Sequence, residues 1–363
     1  MKKSKKKMVV AILIEACVLV AILVVCLIFL KKPSAKKTAS ANAKKTRSKV
    51  EKTETDENST KSVLTGLPVS AEERNARPFA VMIENTKEAC PQNGINKAGI
   101  IYECPVEGTI TRLMAIFQNP GTDEVIGNVR SCRPYYVYFA AEYDAIYAHY
   151  GQNGPGKDAL NEGIVQDLNG LSALGNVTYY RTSDRKSPHN AYTTGGKLTE
   201  GANKGGYDLK YNADDYKHFT FAKGSGNTLS DGTSANHIKL YYFYNHPEFT
   251  YDASTGLYTR SQFGATQIDR TDGSPVTVKN IIIENVDWSL VSEKYGTIDL
   301  GIVGQGTGKF ITNGKAIDIT WKKDSHSGVT KYYDASGKEI ELNPGKTWIC
   351  IAQNDYVGKD VIE

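Results

Sequence analysis

The sequence lacks the short motifs that commonly announce catalysis or cofactor binding. It has no Gly-x-Ser-x-Gly elbow, no His-Glu-x-x-His, no Walker loop and no Cys-x-x-Cys pair. Nothing in its motifs therefore argues for a serine hydrolase, a zinc protease, a phosphate-loop enzyme or a dithiol redox centre. No cofactor and no metal site is expected. Histidine and cysteine are scarce, at six each. Cys17 and Cys26 fall in an N-terminal apolar run, and Cys90, Cys104, Cys132 and Cys350 lie beyond it. Four cysteines allow three pairings as two bridges, between which spacing does not choose, and buried free thiols are the expectation. Gly301–Gly308 has the look of a nucleotide loop, but it precedes a hairpin rather than a helix and reads as a cluster of β-turns.

Long apolar runs are also rare, with one exception. Met8 to Leu30 is broken only by Glu15, and at about 1.5 Å per residue it reaches about 34 Å, enough for a hydrocarbon core of about 30 Å. Glu15 is shallow enough to protonate or snorkel. Leu30-Lys31-Lys32-Pro33 offers no small-residue cleavage site. Neither Cys17, with Glu15 just before it, nor Cys26, preceded by the bulky Val25, sits in a good lipoprotein signal. An uncleaved single-pass anchor over residues 1–32 is expected. Lysines flank both ends, so flanking charge does not orient it.

Residues 33–63 are poor in large aliphatics and rich in Lys, Ser, Thr, Ala and Glu, which predicts a disordered basic stalk. Residues 1–60 carry 14 Lys/Arg against 5 Asp/Glu, and the remainder 30 against 35. The stalk is a solvated tether or a segment held against anionic headgroups or wall phosphates. The acidic remainder speaks against nucleic acid as a partner.

The pattern that follows predicts an α+β protein in two parts. Residues 64–205 read as a mixed α/β domain. Its strands start at Phe79, Ile100, Thr111 and Ala145, a buried helix spans Tyr135 to Tyr143, and a second helix lies near Lys157–Glu162. Residues 206–236 read as a connection. Residues 237–360 read as a smaller β-rich domain, with hairpin signals at Ser254–Gly256, Asp272-Gly273, Asn313-Gly314, Ser336-Gly337 and Asn343–Gly345. The 22 tyrosines fit strand propensity, with a sugar-stacking surface as the alternative.

One cluster points to a site. With Gly108-Thr109 as a two-residue turn, Pro105 faces Arg112, and Arg112 shares a face with Glu103 and Glu107. Arg130-Ser-Cys-Arg133-Pro134 then opens the buried helix, with Ser131 as candidate N-cap. Two arginines at a helix N-terminus oppose its dipole and ask for a negative partner, either Glu103 and Glu107 or an external anion. His149 ends a strand, where α/β sheets place ligands, and His189-Asn190 sits in a loop. The candidate ligand set is Arg112, Arg130, Ser131, Arg133, His149, His189 and Asn190.

Leu64–Pro68, Arg77–Asn85, Pro91–Gly94, Tyr102–Gly108, Ile126–Pro134, Pro188–Asn190, Tyr258–Arg260 and Leu342–Trp348 resemble blocks of the YerB family of bacterial surface lipoproteins. The resemblance covers roughly residues 64–355. It implies an N-terminal α/β part joined to a smaller β part outside the cytoplasm, and it implies no activity. The chain departs from it in lacking a lipoprotein signal and in its cysteines at 90, 104 and 132. Two functions fit. One is a binding or scaffold protein recognising a wall polymer, a lipid component or another envelope protein. The other is an envelope hydrolase or transferase acting on an anionic wall or lipid-linked substrate, with Glu103 or Glu107 and His149 as acid–base groups and Arg130 or Arg133 holding the substrate.

Overall fold

The computed structural model describes residues 60–363 apart from Tyr216, Lys217 and Ser225. The apolar run and the stalk up to residue 59 lie outside them. Among the described residues no helix is long and apolar enough to cross a membrane.

The fold is mostly β with few helices. Strands β1 (Phe79–Glu84), β2 (Ile100–Pro105) and β3 (Thr111–Phe117) are buried along their whole length. Strands covered on both faces can be apolar without alternation, which is why these segments read as runs. β3 pairs antiparallel with β1 and with β2. On its other side β1 runs parallel to β4 (Ile146–His149), and β4 parallel to β5 (Asp167–Asn169). From the second half come β6 (Asn280–Val286), β7 (Gly304–Thr312), β8 (Lys315–Lys323) and β9 (Thr347–Gln353). β9 inserts between β6 and β2, parallel to both, so Trp348 stands level with Ile281 and Ile101. The two expected parts therefore share one eleven-stranded sheet.

Each face of that sheet carries a core. Helix α1 (Pro134–Ala141) covers one, packing Tyr136 and Phe139 among Met82, Tyr102, Ile282 and Trp321. On the other, Ile101, Leu113, Ile281 and Trp348 meet Phe249, Tyr258 and Val278 of a second, six-stranded sheet, and Leu198 of helix α3 (Gly195–Lys204). Helix α2 (Gly154–Asn161) lies between these helices in sequence and is capped by Asn153, whose side chain accepts from the Gly156 amide at 2.8 Å.

Three local expectations are corrected. The β2–β3 connection is not a two-residue turn: Val106 N donates to Ile110 O, and Pro105 pairs with Thr111 and Cys104 with Arg112. A one-residue shift exchanges the faces of a strand. Arg112 therefore lies with Cys104 and Tyr102, on the opposite face from Glu103. Ser131 is not the N-cap of α1; Arg133 occupies that position, with Pro134 in the first turn. Gly304–Gly308 is the first half of β7 rather than a turn cluster. Its glycines permit close approach, since a Cβ at Gly306 would fall 2.5 Å from the Trp321 indole nitrogen. Asn313-Gly314 does make the β7–β8 turn, at φ 51° and 73°.

Candidate functional site

The parallel strands β1, β4 and β5 end at the same edge of the sheet. β1 and β4 pair only as far as Val81 and Ala148. Beyond that point residues 129–132 insert between them. Val129 bridges Ile83, Arg130 N donates to Met82 O, Tyr150 N to Arg130 O, and Cys132 N to Gly151 O. A crevice where neighbouring strands part at their carboxyl ends is the usual place for ligands in open α/β sheets. The insertion delivers Arg130, Ser131 and Arg133 to it.

Three guanidinium groups gather there against two carboxylates. Arg133 is held by Glu107 in a two-pronged contact, Nε to Oε1 at 2.6 Å and Nη2 to Oε2 at 2.6 Å, and Asn153 Nδ2 adds a bond to Oε1 at 3.2 Å. Burial pushes the Glu107 carboxyl up, but the bonds and charge of Arg133 outweigh it and leave the pKa below its ordinary value. Buried Arg112 donates Nη1 to the Ser131 carbonyl at 2.9 Å. Burial, then Arg133 and Arg130, pull its pKa down to about 10. Arg130 Nη1 forms an ion pair with Glu84 Oε1 at 3.5 Å, and its buried Nε and Nη1 have no hydrogen-bond acceptor. Buried Glu84 accepts from Thr86 at 3.2 Å, and its Oε1 lies 2.9 Å from His189 Nδ1, while Oε2 has no partner.

The remaining expected residues fall into place less evenly. Ser131 Oγ donates to Tyr150 O. Asn190 donates to Thr182 O and accepts from Arg181, so it shapes the loop carrying His189. His149 is fully buried with both ring nitrogens engaged, Nδ1 2.8 Å from Gly151 O and Nε2 3.0 Å from Asp167 Oδ2. It holds the strand end in shape and faces no open space.

Glu103 is not part of this cluster. On the opposite face of the sheet, fully buried, it accepts from Arg260 at 2.7 Å, Asn245 at 2.7 Å, Thr111 at 2.8 Å, Asn85 at 3.1 Å and Trp348 at 3.1 Å. Gln92, Gln262 and Gln267 extend this network. Sequence reading missed it because its members come from five separate segments. Only the polar positions of Leu257–Gln262, where Arg260 and Gln262 alternate inward, carry a periodic signal. Glu84 was also missed, although a lone carboxylate ending an apolar strand is a visible anomaly.

In this arrangement the candidate acid–base groups already have partners. Glu107 is tied to Arg133, Glu103 to Arg260 and His149 to Asp167. The cluster as a whole retains one guanidinium more than its carboxylates balance, with donors of Arg130 to spare.

Comparison with known proteins covers most of the chain beyond the N-terminal apolar run and stalk. Residues 64–208 match a family described as "Protein of unknown function (DUF3048) N-terminal domain", and residues 238–349 match its C-terminal domain. The chain is 33% identical over 298 residues to the Bacillus subtilis (strain 168) protein named "Putative lipoprotein YerB", spanning 80% of this chain and 86% of that protein. The fold is similar to the crystal structure of YerB from Bacillus subtilis, with a TM-score of 0.74 at 31% identity, over 84% of this chain and 99% of that one. The chain belongs to the YerB family, a two-part family of unknown function.

Proposed function

We propose that this is an extracytoplasmic protein of the cell envelope that binds an anionic envelope component in the crevice between β1 and β4. The lipoprotein name of the Bacillus relative supports the location, and the Met8–Leu30 run supports a single-pass anchor in place of a lipid. The observation that carries the ligand is Arg130, whose Nε and Nη1 are buried without an acceptor beside an excess of positive charge. Buried donors cost stability unless they are paired, so such a site favours an incoming acceptor. A phosphate- or carboxylate-bearing wall or lipid component has the matching chemistry.

Thermal melting of the purified full chain tests the ligand. Phosphate or sulfate should raise the melting temperature above a chloride control of equal ionic strength, and Arg130→Ala should abolish the rise. No rise, or one that survives the substitution, sinks the site. Protease added to intact, wall-stripped cells tests the location, and should release a fragment beginning within residues 33–62. Full protection until lysis would place the folded part inside. A Cys17→Ser variant should keep its size and membrane association, whereas a lipidated Cys17 would change both.

A further inference from the structure

We infer that the protein carries a second binding site, for a saccharide chain, beside the hairpin of Trp288–Ser292 and Thr297–Leu300. Four of the nine large apolar side chains exposed among the described residues, Phe243, Leu290, Val291 and Tyr295, line two adjoining hollows here, and each is at least half exposed. Such a concentration of exposed apolar groups marks a contact surface. The hairpin stands between the hollows. Leu290 and Ile298 face a groove of about 250 Å³, while Val291 and Tyr295 face a cleft of about 670 Å³. A bulge in the hairpin register falls at Val291, a device that re-aims side chains at functional edges.

The groove has the chemistry of a sugar platform. Tyr241, Phe243 and Tyr356 form a mutually packed cluster with ring centroids 5.1–5.4 Å apart. The Lys359 ammonium lies 4.8 Å and 4.7 Å from the Tyr241 and Tyr356 ring centres and fixes both. Trp288 is fixed in turn by its indole N–H, which donates to Asp355 at 2.9 Å. A pyranose offers an apolar C–H face ringed by hydroxyls. It therefore needs rigid aromatic surface with acceptors and donors close by, here the Gln353 amide and the Thr109 hydroxyl. A protein helix would ask for a broader, wholly apolar face, so the mixed lining of a narrow groove favours the saccharide. The cleft on the other side of the hairpin is also lined by Glu107 and Arg133 of the arginine cluster, whereas the groove shares no residue with that cluster, so a response at the groove can fail without the anion site failing.

Tryptophan fluorescence reads this site selectively, because Trp321 and Trp348 are buried in the core and Trp288 alone borders the groove. The full chain should be titrated with an N-acetylglucosamine hexamer and, separately, a glucose hexamer. A saturable change in emission with at least one of them is expected. Phe243→Ala and Tyr356→Ala should each weaken it roughly tenfold, while Arg130→Ala should leave it unaltered. Circular dichroism on each variant confirms the fold. Silence with both sugars, or a response that survives both groove substitutions, would overturn the inference. Self-association that the same substitutions abolish, without any sugar response, would overturn it in favour of a protein partner.

Discussion

Arg260 and Glu103 stand 157 positions apart in the chain and meet at 2.7 Å, both fully buried. The contact joins the second sheet to β2, with the Trp348 ring under the guanidinium at 4.4 Å. Removing one partner of a buried pair leaves the other charge unpaired. Glu103→Ala or Arg260→Ala should each lower unfolding free energy by roughly 3–5 kcal/mol. The double replacement Glu103→Leu with Arg260→Met should cost less than the sum of the two single losses. Urea denaturation of all variants measures the difference, and additive losses would show that the charges do not act as a pair.

Arg133 has a different fate from the one its position suggests. At the start of α1, facing an external anion, its loss would relieve repulsion and raise stability. The two-pronged contact with Glu107 reverses that sign. Arg133→Ala should destabilise by roughly 1.5–3 kcal/mol, the range for hydrogen bonds to a charged group. The pKa of Glu107 is lowered in the folded protein, so its contribution is present above its unfolded value and lost as pH falls through its folded value. The gap between wild type and Arg133→Ala should therefore close on acidification. A gap that stays constant would mean that the pair is not its origin.

Glu284 gives a pH dependence of opposite slope. Burial, and then the charge of Glu142, push its carboxyl from 4.5 up to about 8. The folded state then holds a proton that the unfolded chain releases. This stabilisation is complete below the unfolded value and is lost as pH rises from about 4.5 through about 8. Chemical denaturation at about pH 6 and about pH 8.5 should show the wild type losing stability across that interval. Glu284→Gln keeps an acceptor for the Tyr332 hydroxyl, 2.9 Å away, and should flatten the loss. Equal slopes in the two proteins would assign the effect elsewhere.

The thiols should be inert in the native state. Cys104, Cys132 and Cys350 are free and buried. Burial raises all three pKa values, that of Cys132 to about 12, and burial likewise raises half-buried Cys90 to about 11. Since the thiolate is the reactive form, an aromatic disulfide reagent should label these four slowly at neutral pH and rapidly in denaturant. Fast native labelling of Cys104, Cys132 or Cys350 would contradict the packing around it.

Local patterns in the sequence determined the strands of the first half, the all-round apolar helix Pro134–Ala141 and the Asn313-Gly314 turn. Each depends on neighbours within a few residues, through side-chain period or the φ demanded of a turn, so the signal is contained in the segment itself. The convergence of Arg112, Arg130 and Arg133 on one strand end was legible for the same reason, because the three lie within 22 residues. What only the tertiary structure decided is where long-range pairing enters. The insertion of Thr347–Gln353 between strands from the two halves places Trp348 against Glu103 and merges both parts into one sheet. A one-residue choice of register at the Val106–Ile110 connection sends Glu103 and Arg112 to opposite faces. Strand order and register depend on which distant backbone groups find each other, and a side-chain period of two gives either register the same local pattern.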